Sequence, residues 1–511
     1  MAIFGPQSKL RLNRPFNQNF IMGSILFCLP GIYLALTALG AGGGKPSSQH
    51  VASLTNSILY GPYTLFGWIA GSILNFLKPK KTILVGSIGY PLYAGALWYY
   101  DKTAHQWFPL TAGFILGFCA ACLWTTSGFI QFAYAEESEK AMYITWQWVL
   151  TSSGSTVGAL IAFGVNRNKT EVSGVSTAVW VIFLVIMGCA MLIATFCIVK
   201  PEEVIRDDGT HIAIFKQPSF KEEMRGVLAV LLDKKIILLL PAMFVGEMCL
   251  ALVSSVNGKV PLGLNTRVST DHFMAAHYFN LRTRSLNNLL FQVIMIPAPL
   301  AMAWVMDNKR IKSRRKKGMM GSIMMGAITM GATVGLLIWI IVNGIDANDP
   351  APGIDWTDSS FTSGFILYLL FGIVYATFQI CVQWTMSALT NDPVLCARYA
   401  GAFKGTVSLG MCISFVMDSE GVSYKTQTII QLCLYVVGLV SLYGVIWVYV
   451  RETNYFLEEA VIVPRHVEEE AIVTGLVAEE VIEHERAKKA QIGDPVDETV
   501  HVHPKKDTKD V

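Results

Sequence analysis

Long apolar stretches recur along this 511-residue chain, separated by short polar links. A helix needs roughly 20 mostly apolar residues to cross a bilayer core. Twelve stretches meet that length: about 19–40, 52–77, 82–100, 108–132, 142–165, 177–199, 236–256, 274–306, 319–343, 361–389, 399–417 and 428–449. Helix is the element such runs must form, because backbone N–H and C=O groups in hydrocarbon have to be satisfied within the segment. The polar remainder is grouped. A loop of about 36 residues, Lys200 to Lys235, divides the spans into two sets of six, and a polar tail starts at Arg451. Each half has a basic turn after its second span, Lys78-Pro79-Lys80-Lys81 in the first and Asp307 through Lys317 in the second. Small residues are dense inside the spans, as at Gly154-Ser155-Thr156-Val157-Gly158, and close packing in lipid favours them.

The layout predicts an all-α integral membrane protein with twelve transmembrane helices in two six-helix halves. That is the architecture of the major facilitator superfamily. The expected organisation is a cytosolic N-terminus (1–18), a first half (19–199), a cytosolic middle loop (200–235), a second half (236–450) and a cytosolic tail (451–511). The tail alternates acidic runs such as Glu468-Glu469-Glu470 with Val, Ile and Ala. It is expected to be largely disordered, with a short helix around 467–490. The first stretch is long enough to span, so no cleavable signal is expected.

Composition narrows the classes. About 53% of residues are hydrophobic, 15% are charged, and the mean hydropathy is +0.46. A soluble domain carries roughly 25% charge. Disordered chains and disulfide-rich secreted scaffolds are excluded for the bulk of the sequence. A net charge of +3 gives no reason to expect a nucleic-acid partner. Most of the ten cysteines lie in apolar stretches, so Cys119 and Cys122 read as packing residues rather than a redox or metal pair. With the N-terminus in the cytosol, cytosolic segments hold 30 of the 40 Lys and Arg residues and exterior loops hold 7. Positive charge collects on the cytosolic side, so both termini are placed there. The lone N-x-[ST] sequon, Asn168-Lys169-Thr170, falls in an exterior loop, where it would be a glycosylation site.

No enzyme signature is present: no Walker loop, no HExxH, no GxSxG. No cofactor is expected, and His501 and His503 read as solvated tail residues. The glycine run Gly40–Gly44 reads as a flexible cap at a helix end, and Arg206-Asp207-Asp208-Gly209 as a turn. Charge inside the spans carries the chemistry. A charged side chain at mid-helix costs about 2.5–3.5 kcal/mol on insertion scales, so its retention needs a reason. Glu247 sits in the middle of the seventh span. It could bind a proton or cation coupled to a solute, or pack as a hydrogen-bonded neutral acid, since burial disfavours its charged form. Lys404 lies about six residues into the expected eleventh span. It could pair with Glu247 or bind an anion, and snorkelling to the cytosol along its aliphatic stem is the plainer reading.

Arg282 and Arg284 are placed at the exterior interface as cavity-mouth candidates, with Asp271 or lipid phosphate as partners and interfacial anchoring as the plainer role. Trp124, Gln131, Gln379 and Gln383, with Thr125, Trp146, Gln147 and Trp384, could line a solute cavity. Gln379 and Gln383 are four apart and share a helix face, and polar glue between helices is the alternative. The loop Lys309–Lys317 could hold anionic lipid, or simply enforce topology with Asp307 capping a helix end.

Several runs resemble the Unc-ninety-three-like ion-channel-regulatory family, in its fungal-type facilitator branch. They include Leu29-Pro30-Gly31 through Gly43, Gly71 through Lys81, Gly89-Tyr90-Pro91-Leu92-Tyr93, Leu123-Trp124-Thr125, and Pro201 through Thr210. The most specific are Tyr278-Phe279-Asn280-Leu281-Arg282-Thr283-Arg284 and Ala397-Arg398-Tyr399-Ala400-Gly401 through Lys404-Gly405. The chain departs from that pattern at Leu150-Thr151 and Gly246-Glu247. The resemblance implies a multipass facilitator fold, whose members look like channel regulators, trafficking escorts or transporters. Two readings of function follow. One is a secondary transporter moving a small molecule or ion by alternating access, in the plasma membrane or an endomembrane. The other is a non-transporting regulator or escort whose partner is a second membrane protein.

Overall fold

The computed structural model describes residues 8–34, 48–166, 177–215, 218–258, 278–345, 353–475 and 477–495. The run Gly40–Gly44, the Asn168 sequon, Asp271, and His501 with His503 lie outside the described residues. Among the described residues, eight helices are long and apolar enough to cross a membrane: Trp107–Ala133, Trp180–Cys197, Lys234–Ser254, Arg282–Met306, Arg314–Asn343, Phe361–Ala388, Pro393–Asp418 and Tyr424–Tyr449. These are the fourth, the sixth and the seventh to twelfth spans. The first is Pro15–Leu26 extended through Gly31, the second and third are the two arms of Ser48–Thr103, and the fifth is Lys140–Asn166. Lys78 parts the two arms at φ 65° and ψ 160°. Pro79 follows it, and a residue before proline avoids the helical region.

Burial orders the spans. The fourth, seventh and tenth bury 61% of their most apolar window and the eleventh 67%, against 28% for the sixth and 33% for the twelfth. The first group is central and the second faces lipid. Three spans are interrupted. The first passes through a π-helical turn, Phe27–Gly31, around Pro30. The seventh stops at Val245 and restarts at Met248. The eighth is split between Leu281–Ile294 and Pro297–Met306, where Pro297 cannot supply a helical N–H.

The halves are closed against each other at the face that carries the middle-loop helix and residues 451–475 and 477–495. The second and eleventh spans cross there with almost no side chain between them. A Cβ on Gly67 would lie 2.5 Å from the Gly405 Cα, and one on Gly71 would lie 2.5 Å from the Ala397 carbonyl oxygen. Asp392 caps the eleventh span by accepting from the Val394 and Leu395 amides, and Pro393 occupies the first turn. The helix therefore starts six residues before the expected position of 399.

Lys140, at the start of the fifth span, donates to the Asn391 side chain and to the Ser387 and Thr390 carbonyls of the opposite half. Glu137 accepts from Arg314 at 2.8 Å, Asn391 at 2.7 Å and the Asn454 amide at 2.9 Å. A middle-loop helix, Phe220–Leu231, adds a second clamp. Its Glu223 accepts from Asn75 of the first half and Arg398 of the second. The same helix presents Phe220, Met224, Leu228 and Leu231 as an exposed stripe, the pattern of a helix lying in a membrane interface.

The tail departs from expectation. Residues 451–475 and 477–495 fold onto this face instead of remaining disordered, with two short helices, Arg465–Thr474 and Glu479–Gln491. The reason is pairing that sequence proximity hides. The Ile214 amide donates to the Ala460 carbonyl and the Ile462 amide to the Ile212 carbonyl. The Arg206–Gly209 segment is the turn expected of it, with Gly209 at φ 87°. Arg206 itself is buried and reaches the His211 and Ile462 carbonyls, tying middle loop to tail. Glu458 accepts from Thr390 and the Asn391 amide and Glu452 from Ser313 and the Arg314 amide, all of the second half, while the Asn454 amide donates to Glu137 of the first, so the tail crosses the seam.

Removing one member of a buried charge pair costs about 3–5 kcal/mol, and the Arg314 and Glu137 side chains are only 6% and 10% exposed. We predict that Glu137→Ala opens this face. Cys396 is fully buried beside it and serves as a reporter. Maleimide labelling of Cys396 in membranes, read by mass spectrometry, should rise at least tenfold over the native protein. An unchanged rate would show that Glu137 does not hold the seam.

Candidate functional site

The first and seventh spans occupy corresponding places in the two halves, and both depart from regular α-helix, the first by a π-helical turn at Pro30 and the seventh by a break after Val245. Paired interruptions of this kind mark the binding region in repeat-built transporters, because unwound backbone is tolerated only where it lines a cavity or is buried in protein. The seventh-span break falls on Gly246-Glu247. The Gly246 amide turns back to the Met243 carbonyl, and the Leu250 amide to the Glu247 carbonyl. The Met248 carbonyl, where the helix restarts, accepts from Ser414 and Gln431, so the break is supported from the eleventh and twelfth spans. Glycine at 246 lets the tenth span come close, because a Cβ there would sit 3.3 Å from Gln379 Nε2.

Glu247 forms no side-chain hydrogen bond or ion pair among the described residues. Lys404 lies within electrostatic reach of it, without a direct ion pair. Tyr60 and Tyr63 of the second span and Tyr375 of the tenth lie within electrostatic reach of Glu247 as well. Lys404 is 5% exposed. Its ammonium lies 4.6 Å from the Trp124 ring centre and 5.0 Å from that of Phe403, its only contacts of charge among the described residues. The earlier helix start explains this position. Lys404 stands eleven residues beyond Pro393, roughly 16 Å along the axis, too deep for the snorkelling expected of it.

Cation–π contact returns about 0.5–2 kcal/mol. That is less than the desolvation it must offset, so Lys404 is held at net cost. Gln379 is fully buried, and neither its amide nitrogen nor its amide oxygen has a partner. Gln383 is buried one turn away.

The remaining candidates separate. Trp124 belongs to this centre and donates to the Tyr90 hydroxyl at 3.0 Å. Gln131 does not. It donates to Gln147, which also accepts from Ser127 and donates to Asn19, whose amide reaches the Tyr143 carbonyl. That network joins the first, fourth and fifth spans and reads as structural glue.

Arg282 pairs with Asp355 in the link before the tenth span and lies 5.0 Å from the Trp356 ring. The expected Asp271 lies outside the described residues. The Arg282 guanidinium, with the Thr357 and Thr283 hydroxyls, holds the Asp355 carboxyl well below the usual carboxylate range. Arg284 is half-buried two positions on, in a different environment. An apolar crevice of about 290 Å³ lies among Val253, Phe279, Leu336, Trp339, Tyr368 and Phe371.

Sequence reasoning passed over the tyrosines. Tyr33, Tyr90 and Tyr93 meet edge-to-face at 5.6–5.9 Å, Tyr33 donates to Asn56, and Tyr60 stacks on Phe415 across the halves. Their residue type reads as interfacial or core, and only the fold brings together those of the first, second, third and tenth spans. It also gave Asp307 a smaller part than it plays. Asp307 accepts from the Met142 amide at 2.7 Å and the Ala141 amide at 3.3 Å. It thereby caps the fifth span of the opposite half rather than its own helix.

Comparison with known proteins follows the same lines. A family profile described as "Ion channel regulatory protein UNC-93" matches residues 48–258. An uncharacterized membrane protein of Schizosaccharomyces pombe is 41% identical over 413 residues, covering 81% of this chain and 80% of its own. UNC93-like protein 1 of Arabidopsis thaliana is 31% identical over 460 residues, covering 88% and 94%. Among solved structures, the Escherichia coli fucose:proton symporter aligns with TM-score 0.56 at 14% identity, over 84% of this chain and 99% of that one. The proton:xylose symporter XylE aligns with TM-score 0.55 at 10% identity, over 84% and 95%. These likenesses establish the major facilitator fold that the twelve-span layout predicts.

Asp307 supplies a pH test. Burial pushes its carboxyl up to about 7, against the lowering effect of the two backbone amides and Lys317, with Glu139 adding to the rise. Opening the face would return it toward an ordinary value near 4. The closed form then binds more protons between about pH 4 and 7, so acidification through that window favours closure and alkalinisation favours opening. Protection of Cys396 from maleimide, normalised to the unfolded chain at each pH, should increase from pH 8 to 5. The gradient should flatten in Asp307→Asn. Equal gradients in the two proteins would exclude Asp307 as its source.

Proposed function

The chain belongs to the UNC-93-like family, and on that premise we propose that it is a secondary transporter of a small solute, working by alternating access. The observation that carries this reading is the pair of unpartnered interior charges, Glu247 and Lys404, beside the break in the seventh span. A protein that used this region only for packing would gain by replacing both with apolar residues. The two halves rock around the centre, the face bearing the middle-loop helix serves as the inner gate, and Glu247 is the proton or cation site. Gln379, Gln383 and Trp124 line the solute path, while Arg282 and Arg284 stand near its mouth. In this reading the termini face the cytosol, as the 30 to 7 partition of basic residues supports, and Asn168 faces the lumen or exterior. The neighbours that share the fold are named as symporters, and the family is described as regulatory rather than enzymatic.

That description favours a second reading, regulation of a partner membrane protein such as an ion channel. Thermal unfolding of the purified protein, scanned against sugars, amino acids, nucleosides, organic acids and ions at two pH values, separates the two. A ligand at 100 times its Kd adds about 2.7 kcal/mol to the folded state. The transport reading expects at least one saturable upward shift, lost in Glu247→Gln, and uptake of that solute into proteoliposomes. Absence of any shift, with a membrane protein co-purifying equally with native and Glu247→Gln chains, would replace it by the regulator reading.

A further inference from the structure

We infer that the middle-loop helix Phe220–Leu231 is a docking surface for an anionic lipid leaflet, and that its seating on lipid holds the inner face closed through Glu223. The inference rests on the fold and not on the transport reading. The helix has two opposed faces. One carries Phe220, Met224, Leu228 and Leu231 at spacings of four, four and three, a single stripe along a helix, continued by Leu232. These side chains are between 42% and 71% exposed, so no described residue covers them. The other face carries Glu223, Gly226 and Val230, all buried against the bundle. A contiguous apolar stripe outside the spans marks an interaction surface.

Placement and charge name the partner. Both ends of the helix are fixed at the level where spans meet lipid headgroups. At its start the Phe220 ring stacks on Phe76, with centres 6.3 Å apart, and Phe76 lies in the apolar stretch of the second span. At its end Leu232 is followed by Asp233, which caps the seventh span by accepting from the Lys235 amide. The apolar surface then continues into Ile237 and Leu238, exposed in the first turn of that span. A helix tethered in this way lies along the interface. Lys221 and Arg225 are exposed, and each stands one position, about 100°, past a stripe residue. Their charges therefore border the apolar stripe, at the level of headgroup phosphates. The exposed acid of the helix, Glu222, is drawn to the cap, where it accepts from the Ser219 amide. Basic residues bordering an apolar face favour anionic lipid.

The buried face reaches the seam. Glu223 is 1% exposed and accepts from Asn75 at 3.1 Å and from Arg398 at 2.8 Å. A Cβ on Gly226 would run into the Arg398 guanidinium, so the clamp needs the helix pressed close. Arg398 lies at the crossing of the second and eleventh spans, where a Cβ on Gly71 would be 2.6 Å from its Cα. Cys396 is two residues away. A leaflet that draws down the apolar face fixes the height of the helix and, with it, the Glu223 clamp. The helix thus reports the membrane on one side to the seam on the other.

The test places the full-length protein in vesicles of phosphatidylcholine alone and of phosphatidylcholine with roughly 30% phosphatidylserine, an anionic lipid of the cytoplasmic leaflet. A photoreactive phosphatidylserine, mapped by mass spectrometry, should mark residues 220–232 of the native chain. Maleimide labelling of Cys396 should be at least fivefold slower with phosphatidylserine. Lys221→Gln with Arg225→Gln should abolish that difference and leave the rate in phosphatidylcholine unchanged, which separates this helix from the basic link Lys309–Lys317. Met224→Ser with Leu228→Ser should raise the rate in both lipids. Lipid marks confined to the spans would overturn the docking assignment. So would Lys221-to-Lys221 links between two copies, formed by a bifunctional amine reagent where lipid marks are missing, since a second copy would then cover the stripe. Equal Cys396 rates in the two lipids, or a lipid response that survives Lys221→Gln with Arg225→Gln, would overturn the coupling. The lipid map and the lipid comparison use the native chain and so do not depend on any variant folding. Neither reads solute binding, so their failure leaves the transport reading intact.

Discussion

A charge carried to the middle of a bilayer must be answered, and here Lys404 is met by two aromatic rings and Glu247 by no side-chain hydrogen bond or ion pair among the described residues. Insertion scales set the cost at about 2.5–3.5 kcal/mol for each, against a whole-domain stability of about 5–15 kcal/mol. The surroundings reduce that cost without cancelling it. Trp124 and Phe403 shelter the Lys404 ammonium, tyrosines from two spans approach Glu247, and the broken seventh helix exposes backbone dipoles next to it. Much else follows from keeping those two groups in place. The helix must break where Gly246 permits close approach of the tenth span, and the eleventh must start early enough to carry Lys404 to this depth.

Closure at the opposite end of the bundle is built from different materials. There the chain uses ion pairs, capped helix ends and three pieces of sequence that are far apart. The N-terminal segment, the middle loop and the tail interlock through Arg11 and Arg14 on Asp207 and through Arg206 on the Ile462 carbonyl. Asp307 and Glu223 each join the two halves by hydrogen bonds. Most of these bonds lie near water, where single pairs contribute little. Their weight comes from number and from a few buried members such as Lys140 and Glu137. That balance suits a seam that holds in one state and releases in another.

The transmembrane plan was legible because its signal is long-range in sequence only by repetition: apolar length, basic loops and small residues are each local. The centre was legible in part. Glu247, Trp124 and Gln379 stood out as polar or aromatic residues in apolar runs, and they converge. Lys404 lies deeper than a span starting near 399 predicts, because Asp392 and Pro393 start the helix six residues earlier. Lining and glue stay undivided for Gln131 in the sequence because its partner Gln147 lies 16 residues away on another span. Arg282 found Asp355, 73 residues downstream, a pairing that no spacing rule reveals. The tail was misread for a related reason. Its acidic and apolar alternation has no partner nearby, and its order comes from backbone pairing with the middle loop almost 250 residues upstream.

The central claim is that Glu247 and Lys404 are kept for a solute and not for each other. A double-mutant cycle on thermal unfolding, measured on the solute-free protein with Glu247→Gln, Lys404→Met and the double variant, tests it most directly. If each charge is held at a net cost, each single change should leave the unfolding temperature equal or higher, and the two effects should come close to adding. If the pair is a structural ion bridge, each single change should lower it sharply by stranding its partner, and the double change should restore it. The second pattern would contradict the account.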